Sequence, residues 1–209
     1  MNTVIIGATG GIGQALAHAL PKPQILVARN SKKLFALCQE TGAYGIPADV
    51  SHELELSALA SEIMARGGIQ TLIYAVGDVA VGSSLELPRA TFERLWEANF
   101  LGFALVCKHL GAGLVANARV YTIGARAELV SAKGFGAYAS AKAALSAYAP
   151  IAALELKRPV TVVLPPAVAT PFWQRLNTVA PRNAILPEVV AAGILADLAN
   201  PPSPELRIG

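Results

Sequence analysis

Tyr138 and Lys142 are a pair of side chains whose types and spacing suit proton transfer. They stand four residues apart in the segment YASAKAAL, which is typical of a helix, and residues at that spacing share one helix face. An ammonium group held near a phenol stabilises the phenolate and lowers the pKa of the phenol. The pair therefore predicts a tyrosine that donates a proton to a carbonyl oxygen near neutral pH, supported by the lysine.

A glycine-rich segment near the start of the chain is the second feature with a chemical use. It follows a short apolar run and opens an amphipathic one, where glycines permit a tight turn and let backbone amides approach a phosphate. The pattern predicts a dinucleotide site, the alternative being a tight structural turn. The residues that we expect to contact the nucleotide here are Gly7, Thr9, Gly10, Gly11, Ile12 and Gly13.

Arg29 stands at the end of the second apolar run, where an acidic residue would bind the ribose hydroxyls of NAD. A guanidinium at this position can hold a 2′-phosphate with two hydrogen bonds and stack on adenine. Asn30 follows it, with Lys32 and Lys33 close behind. The local charge therefore favours NADP(H) over NAD(H), unless Arg29 is merely a loop residue.

The elements that must position these residues alternate along the chain, because short apolar runs are separated by longer amphipathic segments. This pattern predicts an α/β fold with a doubly wound parallel sheet and helices on both faces, a single Rossmann domain over residues 1–209. The proline-rich stretch around 170–187 is expected to be a loop with one short helical turn, acting as a substrate-side lid. The predicted strands are 3–6, 24–28, 43–46, 71–75, 119–123 and 160–164, and the predicted helices are 11–20, 30–40, 51–66, 87–112, 138–156 and 189–198.

The glycine turn together with the Tyr-x-x-x-Lys pair resembles the short-chain dehydrogenase/reductase superfamily over about the first 172 residues. Further segments match the family in the same order. Asp49 and Val50 resemble the pair that lies beside the adenine ring. Ala75 and Gly77 keep the small residues that admit the adenosine ribose, although the amide side chains usual in this segment are absent.

The resemblance implies hydride transfer between a nicotinamide cofactor and a carbonyl or alcohol carbon. Tyr138 would be the acid/base, Lys142 would bind the ribose, and both would contact the cofactor. Asn99, in the segment WEANFLG, matches the asparagine that supports the lysine through water in a proton relay. Val168 and Thr170 resemble the segment that touches the nicotinamide amide. The implied catalytic residues are thus the tyrosine, the lysine and the asparagine.

The sequence departs from the family at Ala125, thirteen residues before Tyr138, where the family has a catalytic serine. Loss of one hydrogen-bond donor to a developing oxyanion costs about 2.7–4 kcal/mol in a comparable site. Ser131 and Thr122 are the nearest hydroxyl groups that could fill the gap. Two functions therefore stay open: an NADP(H)-dependent reductase of small or apolar ketones and aldehydes, and an NADP(H)-binding redox sensor or regulatory protein with impaired catalysis. The acid/base pair favours the first.

The composition excludes several other classes of protein. Charged residues make up only 15% of the chain and apolar residues 54%, which predicts a large buried core rather than disorder. A net charge of +3 over 209 residues provides no basic patch for nucleic acid. Polar residues and glycines interrupt the apolar stretches before they reach the ~20 residues of a spanning helix. We expect a cytoplasmic protein without membrane association, in which Cys38 and Cys107 are reduced.

Two further expectations concern assembly and metals. A surface poor in charge predicts a homodimer or homotetramer. Pro150 should kink or end its helix, which is the helix that packs in the dimer interface of the family. His18, His52 and His109 have no carboxylate or cysteine at ligand spacing, so no metal site is expected.

Overall fold

The computed structural model describes residues 1–209 and contains one seven-stranded sheet. The strands, β1 to β7, are Asn2–Ile6, Gln24–Ala28, Tyr44–Pro47, Ile69–Tyr74, Leu114–Ile123, Val160–Leu164 and Glu205–Arg207. Every neighbouring pair is parallel, and the spatial order is β3-β2-β1-β4-β5-β6-β7. The predicted α/β fold, a doubly wound parallel sheet of the Rossmann type, is confirmed.

Eight α-helices surround the sheet. In chain order, α1 to α8 are Gly11–Ala19, Ser31–Thr41, Glu53–Ala65, Arg89–Trp96, Gly102–Leu110, Ala127–Val130, Gly136–Leu156 and Pro187–Leu198. Helices α1, α2 and α8 pack on one face of the sheet, and α3, α5 and α7 pack on the other. None of the helices combines the length and the apolar character needed to cross a membrane.

The strands are apolar along their whole length because both faces of the sheet are covered. In β1, Ile5 packs on the α1 face while Val4 and Ile6 pack on the α3 face, and all three are at most 1% exposed. Burying each such side chain contributes about 1.5–3 kcal/mol relative to leaving it in water. The chain order reverses between β1 and β4, so the loops after these two strands border a crevice at the carboxyl edge.

The long helix predicted over 87–112 is interrupted by a π-helical turn, Glu97–Leu101, between α4 and α5. Tyr74 explains the interruption, because its hydroxyl donates a 2.9 Å hydrogen bond to the Ala98 carbonyl. The Gly102 amide then reaches back to the Glu97 carbonyl, five residues away. A side-chain donor inserted into the helical hydrogen bonds is a known cause of such turns.

Pro150 does not end its helix, so that part of the expectation is wrong. Helix α7 continues to Leu156, six residues beyond the proline. Proline removes only one backbone donor, and the flanking Ala149 and Ala152, each 1% exposed, keep the helix packed on the sheet.

The last strand, β7, and the short helix α6 have no counterpart among the predicted elements. Strand β7 lies beside β6, with Val162 paired to Glu205. The Arg126 guanidinium holds this end of the chain by donating to the Leu164 and Ile208 carbonyls. Because these contacts join residues distant in sequence, local periodicity does not reveal them.

The predicted helical turn in 170–187 is present as a 3-10 helix, Pro171–Leu176.

Candidate active site

The loops after β1, β4, β5 and β6 meet at the carboxyl edge of the sheet and form the candidate active site. The glycine turn follows β1, Gly77 follows β4, Ala125 follows β5, and Thr170 follows β6. Since the strands are parallel, their carboxyl ends share this edge, and side chains far apart in the sequence become neighbours.

The turn after β1 packs tightly against two other loops. Gly7 has a φ of +85°, and a Cβ there would lie 2.9 Å from the Val76 amide nitrogen. A Cβ at Gly11 would lie 2.5 Å from the Thr170 Cγ2. A side chain is therefore disfavoured at both positions, and the β4 loop and Thr170 lie directly against the glycine turn.

The rest of the glycine turn forms the amino terminus of α1. Gly10 is the N-cap residue and has no side chain to occupy the first amides of the helix. The Thr9 carbonyl accepts a hydrogen bond from Gln14, Ile12 packs on the sheet, and Gly13 is buried. An uncapped helix amino terminus, with free amides and the positive end of the helix dipole, fits a phosphate group.

Arg29 and Asp49 face each other beyond the ends of β2 and β3. The Arg29 Nη1 lies 3.6 Å from the Asp49 Oδ2, and the arginine side chain is 71% exposed. Burial raises the pKa of Asp49, but hydrogen bonds from Ser51 and the charge of Arg29 leave it below its usual value. Asn30 caps α2 by accepting from the Lys33 amide, a structural use that the sequence did not suggest. Val50 lies buried in the core beside them.

Gly77, Asn99 and Lys142 are brought together under the β4 loop. A Cβ at Gly77 would lie 3.3 Å from the Asn99 Oδ1 and 3.8 Å from the Lys142 Nζ. The fully buried Asn99 side chain binds the Asp78 backbone, accepting from its amide at 3.3 Å and donating to its carbonyl at 2.8 Å. The Lys142 Nζ donates to the Ile123 carbonyl at 2.7 Å.

Tyr138 lies beside Lys142 in an apolar environment. The lysine Nζ is 5.9 Å from the centre of the tyrosine ring. Phe172 packs edge-on at 6.0 Å between ring centres, and Ala125 and Phe135 border the same cluster. Burial raises the pKa of Tyr138, so the lowering expected from the lysine is not found in this arrangement.

Lys142 provides a test of whether the residues fit a nicotinamide cofactor. Its ammonium group has three donors, and one of them has a partner, the Ile123 carbonyl. Burial lowers the pKa of this lysine to about 7. A pair of ribose hydroxyls beside Gly77 would satisfy the remaining donors and favour the charged form, so the residues fit the group that the family uses.

Neither hydroxyl considered as a substitute for the missing serine contacts Tyr138. The exposed Ser131 hydroxyl donates to the Ala127 carbonyl in its own helical turn. Thr122 is fully buried in β5, and its Oγ1 has no hydrogen-bond partner. Ala125 itself packs against the cluster around Tyr138.

Two contacts within the segment after β6 fix its conformation. The Trp173 indole donates to the Val168 carbonyl at 2.8 Å, and Val168 pairs with Ile185 in an isolated β-bridge. Val168 is buried, whereas Thr170 lies against Gly11. On the other side of the crevice, the Ala75 amide donates to Ile6 and fixes the start of the β4 loop.

Asp78 is a site residue that the sequence reasoning missed. It directly follows Gly77, is 8% exposed, and forms ion pairs with Arg94 and Arg175. The signal available in the sequence was an acidic residue next to the expected ribose-binding glycine in a chain with few charges. Its partners are not predictable from sequence because they lie on α4 and on the 3-10 helix.

Comparison with known proteins identifies relatives of one kind. The family model described as short chain dehydrogenase matches residues 1–180. A 3-ketodihydrosphingosine reductase of Bos taurus is 28% identical over 224 residues, covering 94% of this chain and 68% of the relative. An L-fucose dehydrogenase of Oryctolagus cuniculus is 31% identical over 193 residues, covering 85% of this chain and 66% of the relative.

Solved structures are also similar to this chain. A protein from Thermus thermophilus described as a putative short-chain oxidoreductase is 37% identical, with a TM-score of 0.88 over 97% of this chain and 98% of that chain. An alcohol dehydrogenase from Thermococcus sibiricus, in complex with 5-hydroxy-NADP, has a TM-score of 0.87 over 100% of this chain and 96% of that chain. At 22% identity this likeness concerns the fold alone. The comparisons favour an oxidoreductase and do not favour the redox sensor.

Proposed function

This chain belongs to the short chain dehydrogenase family, and we propose that it is an NADP(H)-dependent oxidoreductase that interconverts a carbonyl and an alcohol. One observation carries the proposal: the Lys142 Nζ is buried 5.9 Å from the Tyr138 ring centre, beside Gly77 and Asn99. A proton donor and a cation are thereby held next to a crevice that fits a nicotinamide ribose. We propose Tyr138, Lys142 and Asn99 as the catalytic residues.

The proposed mechanism assigns a separate task to each residue. The nicotinamide cofactor, when bound, supplies or accepts the hydride. In the reducing direction, the Tyr138 hydroxyl donates its proton to the substrate oxygen as the carbonyl carbon gains the hydride. This phenol is protonated near neutral pH, and the positive charge of Lys142 would lower its raised pKa once the cofactor ribose is bound, which suits donation. Lys142 holds the ribose and stabilises the phenolate that remains, and Asn99 fixes the loop above both.

NADP(H) is the proposed cofactor because Arg29 directly follows β2, where an adenosine ribose is expected, and its side chain is exposed. Asp49 holds the guanidinium at 3.6 Å but leaves most of the side chain exposed for a 2′-phosphate. The proposed cofactor contacts are Gly7, Thr9, Gly10, Gly11, Ile12, Gly13, Arg29, Asn30, Asp49, Val50, Ala75, Gly77, Tyr138, Lys142, Val168 and Thr170.

The proposed substrate is a small or apolar ketone or aldehyde, or the corresponding alcohol. The space around Tyr138 is bordered by Val79, Leu176 and aromatic rings such as that of Phe172, all of them apolar. Because Ala125 supplies no hydroxyl, the substrate oxygen receives one side-chain donor where the family usually provides two. We propose residues 170–187 as the lid of this site within a single domain.

A carbonyl panel with NADPH tests the proposal. Tyr138→Phe removes the proton donor, so we expect kcat/KM to fall by about 10²–10⁴, while the Kd for NADPH changes far less because the other proposed cofactor contacts remain. Tyr148→Phe is the matched control, because it removes a hydroxyl from the same helix at a ring that packs on Phe100. Equal rates in the wild type and Tyr138→Phe, on a substrate that the wild type reduces, would contradict the assignment.

We also propose that the chain forms a homodimer or homotetramer through an apolar patch on the end of α4, the π-helical turn and α7. The patch is a row of contacting rings continued by exposed aliphatic side chains, and it consists of Trp96, Phe100, Tyr148, Ile151 and Leu154. A two-fold interface places the same patch on both copies, so a self-complementary apolar surface suits a second copy of this chain.

The cytoplasm is the proposed compartment, which agrees with two free thiols.

A further inference from the structure

The Asp78 carboxylate forms ion pairs with two elements that are far apart in the sequence. Its Oδ1 accepts from the Val79 amide at 2.8 Å and from the Arg175 guanidinium, and its Oδ2 binds Arg94. Arg94 belongs to α4, whereas Arg175 belongs to the 3-10 helix of the lid, residues 170–187. The Arg175 guanidinium also lies 3.5 Å from the Gly77 carbonyl. One carboxylate therefore connects the lid to the loop under the proposed cofactor.

The backbone of the same residue is bound by Asn99. The asparagine amide group both accepts from the Asp78 amide and donates to the Asp78 carbonyl. Asn99 also donates to the Leu95 carbonyl within its own helix. A rigid connection thus runs from the π-helical turn through the aspartate backbone to its carboxylate and on to Arg175.

We propose that Asp78 is a positioning residue that holds the lid over the active site through its ion pair with Arg175. Asn99 fixes the Asp78 backbone for this role. This inference rests on the proposed function, because it takes the crevice under the lid as the cofactor site. With Arg175 bound, Phe172 packs against Tyr138 and Thr170 lies against Gly11. Closing the ion pair therefore places the lid residues around the proton donor and the glycine turn.

The Arg94 ion pair would lower the cost of breaking the contact between Asp78 and Arg175 when the lid opens. An unpaired buried carboxylate is costly, so a single arginine would hold the lid closed. When Arg175 leaves, Asp78 keeps the Arg94 ion pair and the Val79 amide. The two arginine side chains are almost equally exposed, 49% for Arg94 and 50% for Arg175, and differ mainly in the element that carries them.

Hydrogen exchange of the lid, followed by mass spectrometry, tests this directly. In Arg175→Gln we expect amide exchange in 171–180 to be about tenfold faster, as expected for the loss of a hydrogen bond to a charged group. The rate constant for NADPH release, followed by its fluorescence after mixing with excess NADP⁺, should rise by a similar factor. Arg94→Gln is the matched control: Arg175 is then the one arginine left on Asp78, so lid exchange should be slower than in the wild type, not faster.

A double variant separates the ion pair from general destabilisation. Asp78→Asn should accelerate lid exchange like Arg175→Gln, and the two together should add little to either alone. Unchanged lid exchange in Arg175→Gln, or equal acceleration in Arg94→Gln, overturns the proposal. If the wild type binds no NADPH, the proposed function fails, while the exchange of the lid still decides whether Asp78 fastens it.

Discussion

Lys142 occupies a site where burial opposes the charge that its proposed role requires. The residue is 5% exposed, and its ammonium group has the Ile123 carbonyl as its hydrogen-bond partner. Removing a cation from water favours the neutral form, which is why the pKa falls to about 7. A cofactor ribose that accepts from the free donors would shift the balance back to the charged form, so cofactor binding and lysine protonation should be linked.

This lowered pKa predicts how stability without cofactor varies with pH. Between about pH 7 and the ordinary lysine pKa of 10.5, the unfolded chain keeps a proton that the folded chain has released. The free energy of unfolding should therefore rise with pH in this window, by up to ~1.4 kcal/mol per pH unit for one proton. Tyr138 titrates only above its ordinary value of 10, because burial raises its pKa.

Urea unfolding of the wild type and Lys142→Met at pH 7, 8 and 9 measures the effect. The wild type should gain stability relative to the variant as the pH rises, because methionine has no proton to release. A constant difference between the two proteins across these pH values would show that the lysine does not titrate in the folded state near neutral pH.

Arg29 carries the proposed preference for NADP(H), so its replacement should change cofactor selectivity. In Arg29→Asp we expect the Kd for NADPH to rise by about tenfold to a hundredfold, since a charged hydrogen-bonded pair is lost. The Kd for NADH should change little. Arg89→Asp, which makes the same charge change at the exposed start of α4, is the control. An unchanged NADPH to NADH ratio in Arg29→Asp would refute the 2′-phosphate assignment.

At the scale of elements, the start of α1 and the segment after β6 depend on each other. A Cβ at Gly11 would meet both the Thr170 Cγ2 at 2.5 Å and the Pro171 Cδ at 3.3 Å. At Gly10, a Cβ would meet only the Gly7 carbonyl at 3.3 Å. A side chain at Gly11 would therefore collide with the segment after β6, whereas one at Gly10 would meet the glycine turn itself.

Gly11→Ala should consequently destabilise the protein, although alanine is the better helix former. We expect a loss of about 1–3 kcal/mol from the steric conflict with the Thr170 segment. Gly10→Ala should cost clearly less, and Thr170→Gly should restore part of the loss in the Gly11→Ala background. Urea unfolding without cofactor measures all three, and equal losses in the two alanine variants would show that the segment moves aside freely.

At the scale of the whole molecule, the apolar patch on the end of α4, the π-helical turn and α7 is the surface proposed to contact a second copy. Leu154 in this patch is 79% exposed, and Leu54 on α3, outside the patch, is 88% exposed. If the patch is an interface, Leu154→Glu should shift sedimentation toward the monomer, because a buried unpaired charge is costly. Leu54→Glu should leave the assembly unchanged. Identical sedimentation of the wild type and both variants would argue against this interface.

The fold was largely predictable because it depends on local periodicity. Buried parallel strands appear in the sequence as short apolar runs, and helices as amphipathic repeats, so six of the seven strands were predicted. Strand β7 was not, since its side chains alternate between exposed and half-buried and it forms only beside β6. The helix around Asn99 was predicted, but its π-helical turn depends on Tyr74, which is distant in sequence.

For the site, the sequence alone determined which residues share an element, and the tertiary structure decided which elements meet. Tyr138 and Lys142 lie on one face of α7 because the helical repeat places residues four apart together. The placement of Thr170 against Gly11, and of Asp78 between Arg94 and Arg175, joins loops from different strands. Such contacts depend on strand order and on packing at the carboxyl edge, which no spacing within the chain encodes.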